Sequence, residues 1–187
     1  VFRCERRIGP RAALDRVDAG GGDDLARPGD PDRFGADALD RMTLGTFHAF
    51  CARTLRIESD HLPIDGDYVI FDADDQLATV RRAMADMSVD DKQYRPRAVL
   101  GAISNAKNEL VRPEDYVPPT YWHEIAGRVY ARYQDILRSC NAMDFDDLLV
   151  ETAYLLRENA AVRARCQGGF LHGLVGEFQD TNAAQYD

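Results

Sequence analysis

The stretch Leu174-Val175-Gly176-Glu177-Phe178-Gln179-Asp180-Thr181-Asn182 decides how this chain is read. The apolar run from Phe170 to Val175 reads as a buried strand, and it stops abruptly at Glu177, Gln179 and Asp180. A parallel strand that delivers carboxylates at its C-terminal edge is where α/β nucleotide-binding proteins keep metal and water chemistry. The competing reading is a buried strand running into a polar turn. The rest of the chain has to choose between them.

With 187 residues the chain can bury one real core, or pieces of two. Hydrophobic content of 45% and charged content of 29% are ordinary for a soluble globular protein. No apolar run approaches the roughly 20 residues that cross a bilayer, and Val1-Phe2-Arg3-Cys4 lacks the order of a signal peptide. No membrane partner is expected, and the cytoplasm is the expected compartment. Cys4, Cys51, Cys140 and Cys166 form no CxxC pair and read as reduced, packed thiols. The four histidines are equally scattered, which leaves a histidine metal site unsupported. A net charge of −9 argues against a simple nucleic-acid clamp, because phosphate binding wants Lys and Arg. The charge is uneven, however. Arg97 to Ser139 holds six basic and five acidic residues, and Cys140 to Asp187 three against eight.

Residues 1–40 combine Gly20-Gly21-Gly22-Asp23-Asp24 and Arg27-Pro28-Gly29-Asp30-Pro31-Asp32 with almost no periodic apolar positions, and read as irregular or disordered. A short strand near Thr43 then turns into a helix that Thr46 can cap, with Phe47, Phe50 and Leu55 at helical spacing. A helix N-terminus, a hydroxyl and an imidazole can all donate to a phosphate oxygen, which makes Thr46 and His48 DNA-binding candidates. The plainer reading is that Thr46 only caps and the phenylalanines only fill core.

Tyr68 to Phe71 looks like a brief strand. Asp72 caps a helix to about Met87, and the acidic Asp72, Asp74 and Asp75 follow from the helix dipole rather than from a metal loop. Pro96 opens a helix to about Leu110 that carries Lys107, a residue able to meet a phosphate but more commonly solvated. The helix from about Thr120 to Arg138 bears the stripe Tyr121, Trp122, Ile125, Val129, Tyr133 and Leu137. That stripe is better explained as a buried face than as a base-stacking platform. Asp144 caps a helix to about Glu158; capping explains Asp144, Asp146 and Asp147 more cheaply than a two-metal site.

Three blocks, in this order, resemble the UvrD/Rep/PcrA group of superfamily 1 DNA helicases. Gly45-Thr46-Phe47-His48-Ala49 is similar to motif Ib, and Asn141-Ala142-Met143-Asp144-Phe145-Asp146-Asp147-Leu148-Leu149 to the segment preceding motif II. Glu177 to Asn182 is similar to motif II, the Walker B element, with Gly176 where the family has its first Asp. Ser104-Asn105-Ala106-Lys107-Asn108 resembles a block of the family's helical insertion. The resemblance covers about Arg41 to Tyr186. No Gly-Lys-Ser or Gly-Lys-Thr of a Walker A loop occurs in the chain.

The resemblance implies a helix-dominated α/β fold: an incomplete P-loop NTPase (RecA-like) parallel sheet with an inserted all-α subdomain. It divides the chain into an irregular 1–40, a RecA-like 41–71 with motif Ib, a helical insertion 72–140 and a RecA-like return 141–187. It implies a fragment of an ATP-dependent 3′–5′ DNA helicase of repair or replication, using ATP and Mg2+ in the intact parent. Single-stranded DNA or a single-strand/duplex junction would be the partner, with repair or replication proteins beside it. Glu177 would be the catalytic carboxylate, Gln179 and Asp180 nucleotide-binding, and Thr46, His48 and Lys107 DNA-binding. Gly176 cannot supply the magnesium ligand, so the chain alone is expected to be inactive. The alternative is a non-enzymatic DNA-binding or protein-interaction module derived from a helicase.

Overall fold

The structure, a computed structural model, describes residues 2–6, 42–176 and 181. Helix dominates. In chain order the elements are β1 (Phe2–Arg6), β2 (Met42–Gly45), α1 (Phe47–Ile57), a 3-10 turn (Ser59–His61), β3 (Val69–Ile70), α2 (Ala73–Asp86) and α3 (Pro96–Asn108). A second 3-10 turn (Pro113–Asp115), α4 (Tyr121–Ser139), β4 (Ala142–Met143), α5 (Phe145–Glu158), α6 (Ala160–Gly169) and β5 (Phe170–Val175) complete the series.

The helix starts follow from capping chemistry. Thr46 accepts from the Ala49 N–H, and Thr120 from that of His123. Asp72 with Asp75, and Asp144 with Asp147, build reciprocal capping boxes at the starts of α2 and α5. Pro96 at the first position of α3 sets φ without removing a needed donor.

Two small sheets result. β3 and β4 pair in parallel, Val69 with Ala142 and Ile70 with Met143, so the chain leaves and re-enters through one ladder on either side of α2, α3 and α4. The second sheet has the order β2-β1-β5. Here the sequence expectations need correction. Phe2–Arg6 is a strand, not loop, and it lies antiparallel between β2 and β5, which point the same way without pairing to each other. Its alternation is too short, beside a glycine-rich stretch, to signal a strand. Gly45 and Val175 both stand opposite Phe2, so the chain leaves β2 toward Thr46 and leaves β5 toward Gly176 at one sheet edge. Two strand spacings separate them, about 10 Å.

Burial falls into two apolar clusters. One joins α2, α3 and α4 through Val80, Met84, Val99, Ile103, Val129 and Tyr133. The other joins α1, α5 and α6 through Leu55, Leu148, Leu149 and Val162. On α4 the buried-face expectation holds for Ile125, Val129, Tyr133 and Leu137, whereas Tyr121 is 70% exposed. Trp122 stacks on Tyr94, ring centroids 6.3 Å apart.

Close approach fixes the loop before α4. A Cβ on Gly127 would meet Tyr116 Cδ1 at 2.6 Å, and Tyr116 is itself seated edge-on against Tyr130. Nothing lies within 4 Å of a Cβ on Gly101 of α3. Gly127→Ala should therefore destabilise by about 1–3 kcal/mol through overpacking. Gly101→Ala should instead stabilise by up to about 1 kcal/mol through helix propensity. Denaturant midpoints of the two variants test this, and equal shifts in one direction would contradict it.

Candidate nucleic-acid interface

The first turn of α1 and the first turn of α5 meet at one surface. Thr46 is exposed, and its Oγ1 accepts from the Ala49 N–H at 3.2 Å. Capping occupies a lone pair and leaves the hydroxyl proton to donate elsewhere, so capping and phosphate contact are compatible. No acidic residue sits in the first turn of α1 to neutralise the positive end of its dipole.

His48, two residues on, is half-buried, and its ring lies edge-on to that of Phe145 with centroids 5.9 Å apart. Burial holds the imidazole below its ordinary pKa, and the Asp146 carboxylate pulls the other way. Phe145 is 46% exposed at the head of α5. Its spacing from Leu148 and Leu149 points it at the core, and the exposed ring was not legible from periodicity. A helix start, a hydroxyl, an imidazole and an aromatic face thus share one patch.

Lys107 does a different job from the one its motif suggests. It is fully buried, and its Nζ lies 2.6 Å from Asp144 Oδ2 and 2.7 Å from Asp147 Oδ1. It can neither meet a phosphate nor be solvated. Tyr133 Oη donates to Asp144 Oδ2 at 2.8 Å, and Gln134 Nε2 to Asp147 Oδ1 at 3.0 Å. The capping box closes the ring: the Asp147 N–H donates to Asp144 Oδ1, and the Asp144 N–H to Asp147 Oδ2. The side chain that a DNA-contact reading needs at the surface is consumed inside, because two buried carboxylates require a buried cation.

One lysine cannot neutralise two carboxylates. Burial opposes ionisation at Asp144, but Lys107 and its hydrogen bonds outweigh it and hold that carboxyl below its usual range. At Asp147 burial, reinforced by Asp144, wins over Lys107 and pushes the carboxyl up to about 7. Lys107 is disfavoured by burial yet held above the ordinary lysine value by its two partners. Among the described residues, no three His, Cys, Asp or Glu side chains converge as a metal would need. The expected nucleotide-site residues Glu177, Gln179 and Asp180 lie outside the described residues; Gly176 is exposed at the end of β5.

A family profile described as the UvrD/REP helicase N-terminal domain matches residues 10–187. The chain belongs to the UvrD/REP helicase N-terminal domain family. It is 38% identical over 149 residues to the ATP-dependent DNA helicase PcrA of Bacillus subtilis (strain 168), covering 79% of this chain and 20% of that protein. The PcrA of Leuconostoc citreum is 38% identical over 152 residues, 80% of this chain and 20% of that one. That of Staphylococcus aureus (strain Mu50) is 36% identical over 152 residues, covering 80% and 21%. The chain thus spans about a fifth of the length of the curated relatives it matches. The expected resemblance to the UvrD group therefore holds, and so does the helix-dominated fold.

Lys107→Met should strand two carboxylates inside this UvrD-family domain and destabilise it by about 3–5 kcal/mol at pH 8. Without the lysine both carboxyls titrate above their unfolded values, so the folded state takes up protons as pH falls and the unfolded state does not. The deficit should then shrink between pH 8 and pH 5. Urea unfolding at both values measures it; a deficit that grows on acidification would contradict the clamp.

Proposed function

We propose that this chain is the single-strand-contacting segment of an ATP-dependent 3′–5′ DNA helicase of the UvrD type, acting in DNA repair or replication in the cytoplasm. Residues 41–71 and 141–187 belong to its first RecA-like domain, and 72–140 form the helical insertion. The observation that carries this reading is the shared patch of Thr46, His48 and the exposed Phe145 ring. Thr46 and His48 donate to the backbone phosphates of single-stranded DNA or of a single-strand/duplex junction. Phe145 offers a face on which a base can stack without regard to sequence. The family match and the PcrA relatives, DNA helicases by name, support the choice of ligand.

ATP and Mg2+ would belong to the intact parent, and the residues present do not fit them. Gly176 has no side chain to ligate a cation, and no Gly-Lys-Ser or Gly-Lys-Thr phosphate loop occurs in the chain. Glu177 is the catalytic carboxylate of the parent by resemblance, with Gln179 and Asp180 near the nucleotide. Alone, this chain neither hydrolyses ATP nor unwinds DNA.

Fluorescence anisotropy with a labelled oligothymidylate, at two salt concentrations, tests the binding half. Binding should weaken with salt, and Phe145→Ala should lose about 1–3 kcal/mol, the stacking of one base. Unchanged affinity in both Phe145→Ala and His48→Ala would refute the patch. ATP turnover abolished by Glu177→Gln would refute the predicted inactivity.

A further inference from the structure

Polar side chains from three helices meet inside the domain, and their charges do not balance. Lys107 of α3 brings one ammonium, and Asp144 and Asp147 of α5 bring two carboxylates, with side-chain exposures of 0%, 2% and 4%. Both carboxylates lean on the same nitrogen, at 2.6 and 2.7 Å. From α4, Tyr133 and Gln134 only donate hydrogen bonds, and the Tyr130 ring centroid lies 5.8 Å from the ammonium. With both carboxyls ionised the site carries one uncompensated negative charge out of reach of solvent. Like charges this close in a dry site do not both ionise cheaply, and the ordinary relief is one proton held by the pair.

The geometry distinguishes the two carboxyls. Asp144 accepts from Lys107, from the Tyr133 hydroxyl and from the Asp147 N–H at 2.6, 2.8 and 2.8 Å. Asp147 accepts from Lys107, from the Gln134 amide and from the Asp144 N–H at 2.7, 3.0 and 3.1 Å. The shorter set favours the anion on Asp144. Beside Asp147 stands an idle acceptor: Gln134 Oε1 is buried with no hydrogen-bond partner among the described residues. Turning that amide over puts Oε1 at the place Nε2 now holds, 3.0 Å from Asp147 Oδ1, where it can accept a carboxyl hydrogen.

We propose that the joint of α3, α4 and α5 is a proton latch: Asp147 holds a hydrogen that it donates to Gln134 Oε1, Asp144 remains the anion paired with Lys107, and loss of that proton weakens the joint between the two apolar clusters. The latch stands apart from any DNA contact at Thr46 and His48. The charged and titratable groups facing Asp147 are Lys107 from α3, Tyr130 and Tyr133 from α4, and Asp144 on its own helix. Burial, with Asp144 beside it, places the Asp147 carboxyl at about 7. In the unfolded chain an aspartate titrates at about 3.9. Between those two values the folded state binds the extra proton and the unfolded state does not, so stability rises as pH falls. Above the folded value the proton is absent from both states, and the cost of the second buried charge is fully present.

The test uses the full chain and Asp147→Asn, which keeps the side chain's shape and removes its charge. Carboxyl carbon NMR on aspartate-labelled protein, assigned through the backbone, reads the folded state directly. In wild type the Asp147 carboxyl should titrate near neutral pH while that of Asp144 stays ionised down to pH 5. Urea unfolding across the same range reads the latch. The ratio of the wild-type folding constant to that of Asp147→Asn should rise about tenfold per pH unit from about pH 6.5 down to pH 5 and level off above pH 8. At pH 8 the Asn variant should be the more stable of the two. An Asp147 carboxyl that stays ionised from pH 8 to pH 5 in folded wild type would overturn the proposal, and that measurement decides alone if Asp147→Asn does not fold. A folding-constant ratio that does not change with pH would overturn it as well.

Discussion

The buried ammonium of Lys107 is the constraint on which the rest of this structure depends. It belongs to α3, whose other inward residues, Val99 and Ile103, lie in the cluster of α2, α3 and α4. Its partners Asp144 and Asp147 open α5, whose Leu148 and Leu149 lie in the other cluster. A fully buried lysine between two buried carboxylates costs several kcal/mol per ion to desolvate and is tolerable only with every bond made. Tyr133 and Gln134 of α4 supply those further bonds from a third helix. The same network that closes the capping box of α5 therefore holds the helical excursion in fixed register against the sheet-side helices. The turn after α3 is tied from both clusters as well. Leu110 takes the left-handed region at φ 58, while Tyr154 Oη donates to its carbonyl and Tyr130 Oη to that of Val111.

That register determines where the surface patch sits. Ser104 and Lys107 are one helical turn apart on α3, and they hold successive members of the Asp144–Asp147 run. With α5 fixed in rotation, Phe145 projects beside His48 rather than into the core. On a chain whose net charge is −9, the proposed DNA contact cannot lean on bulk attraction. It has to be made by local donors: a helix start without acidic residues, a hydroxyl, and an imidazole with a nearby counter-charge.

Much of this fold was legible in the sequence because its signals are local. Asp72, Pro96, Thr120 and Asp144 announce their helices through capping and proline chemistry, and α2 to α5 begin where those residues predict. The apolar stripe of α4 likewise found its core. What escaped is non-local. Nothing near Lys107 in sequence reveals that its partners lie 37 and 40 residues away, so a lysine in a polar block reads as a surface residue. The two-residue β4 is too short to show periodicity, and β1 owes its place to partners far along the chain. Phe145 carries the spacing of a core residue and is exposed only because it overhangs the first turn. The family was readable from ordered blocks; the division of labour inside the Asp144–Asp147 run was not.

Native-state hydrogen exchange tests the clamp most directly. The Asp147 amide, bonded to Asp144 Oδ1 at 2.8 Å, should exchange only through global unfolding, with the same opening free energy as core amides of α4 such as that of Tyr133. Exchange of Asp147 at a markedly lower free energy, with the head of α5 opening while α4 stays protected, would show that the two clusters are not locked together and would contradict the account.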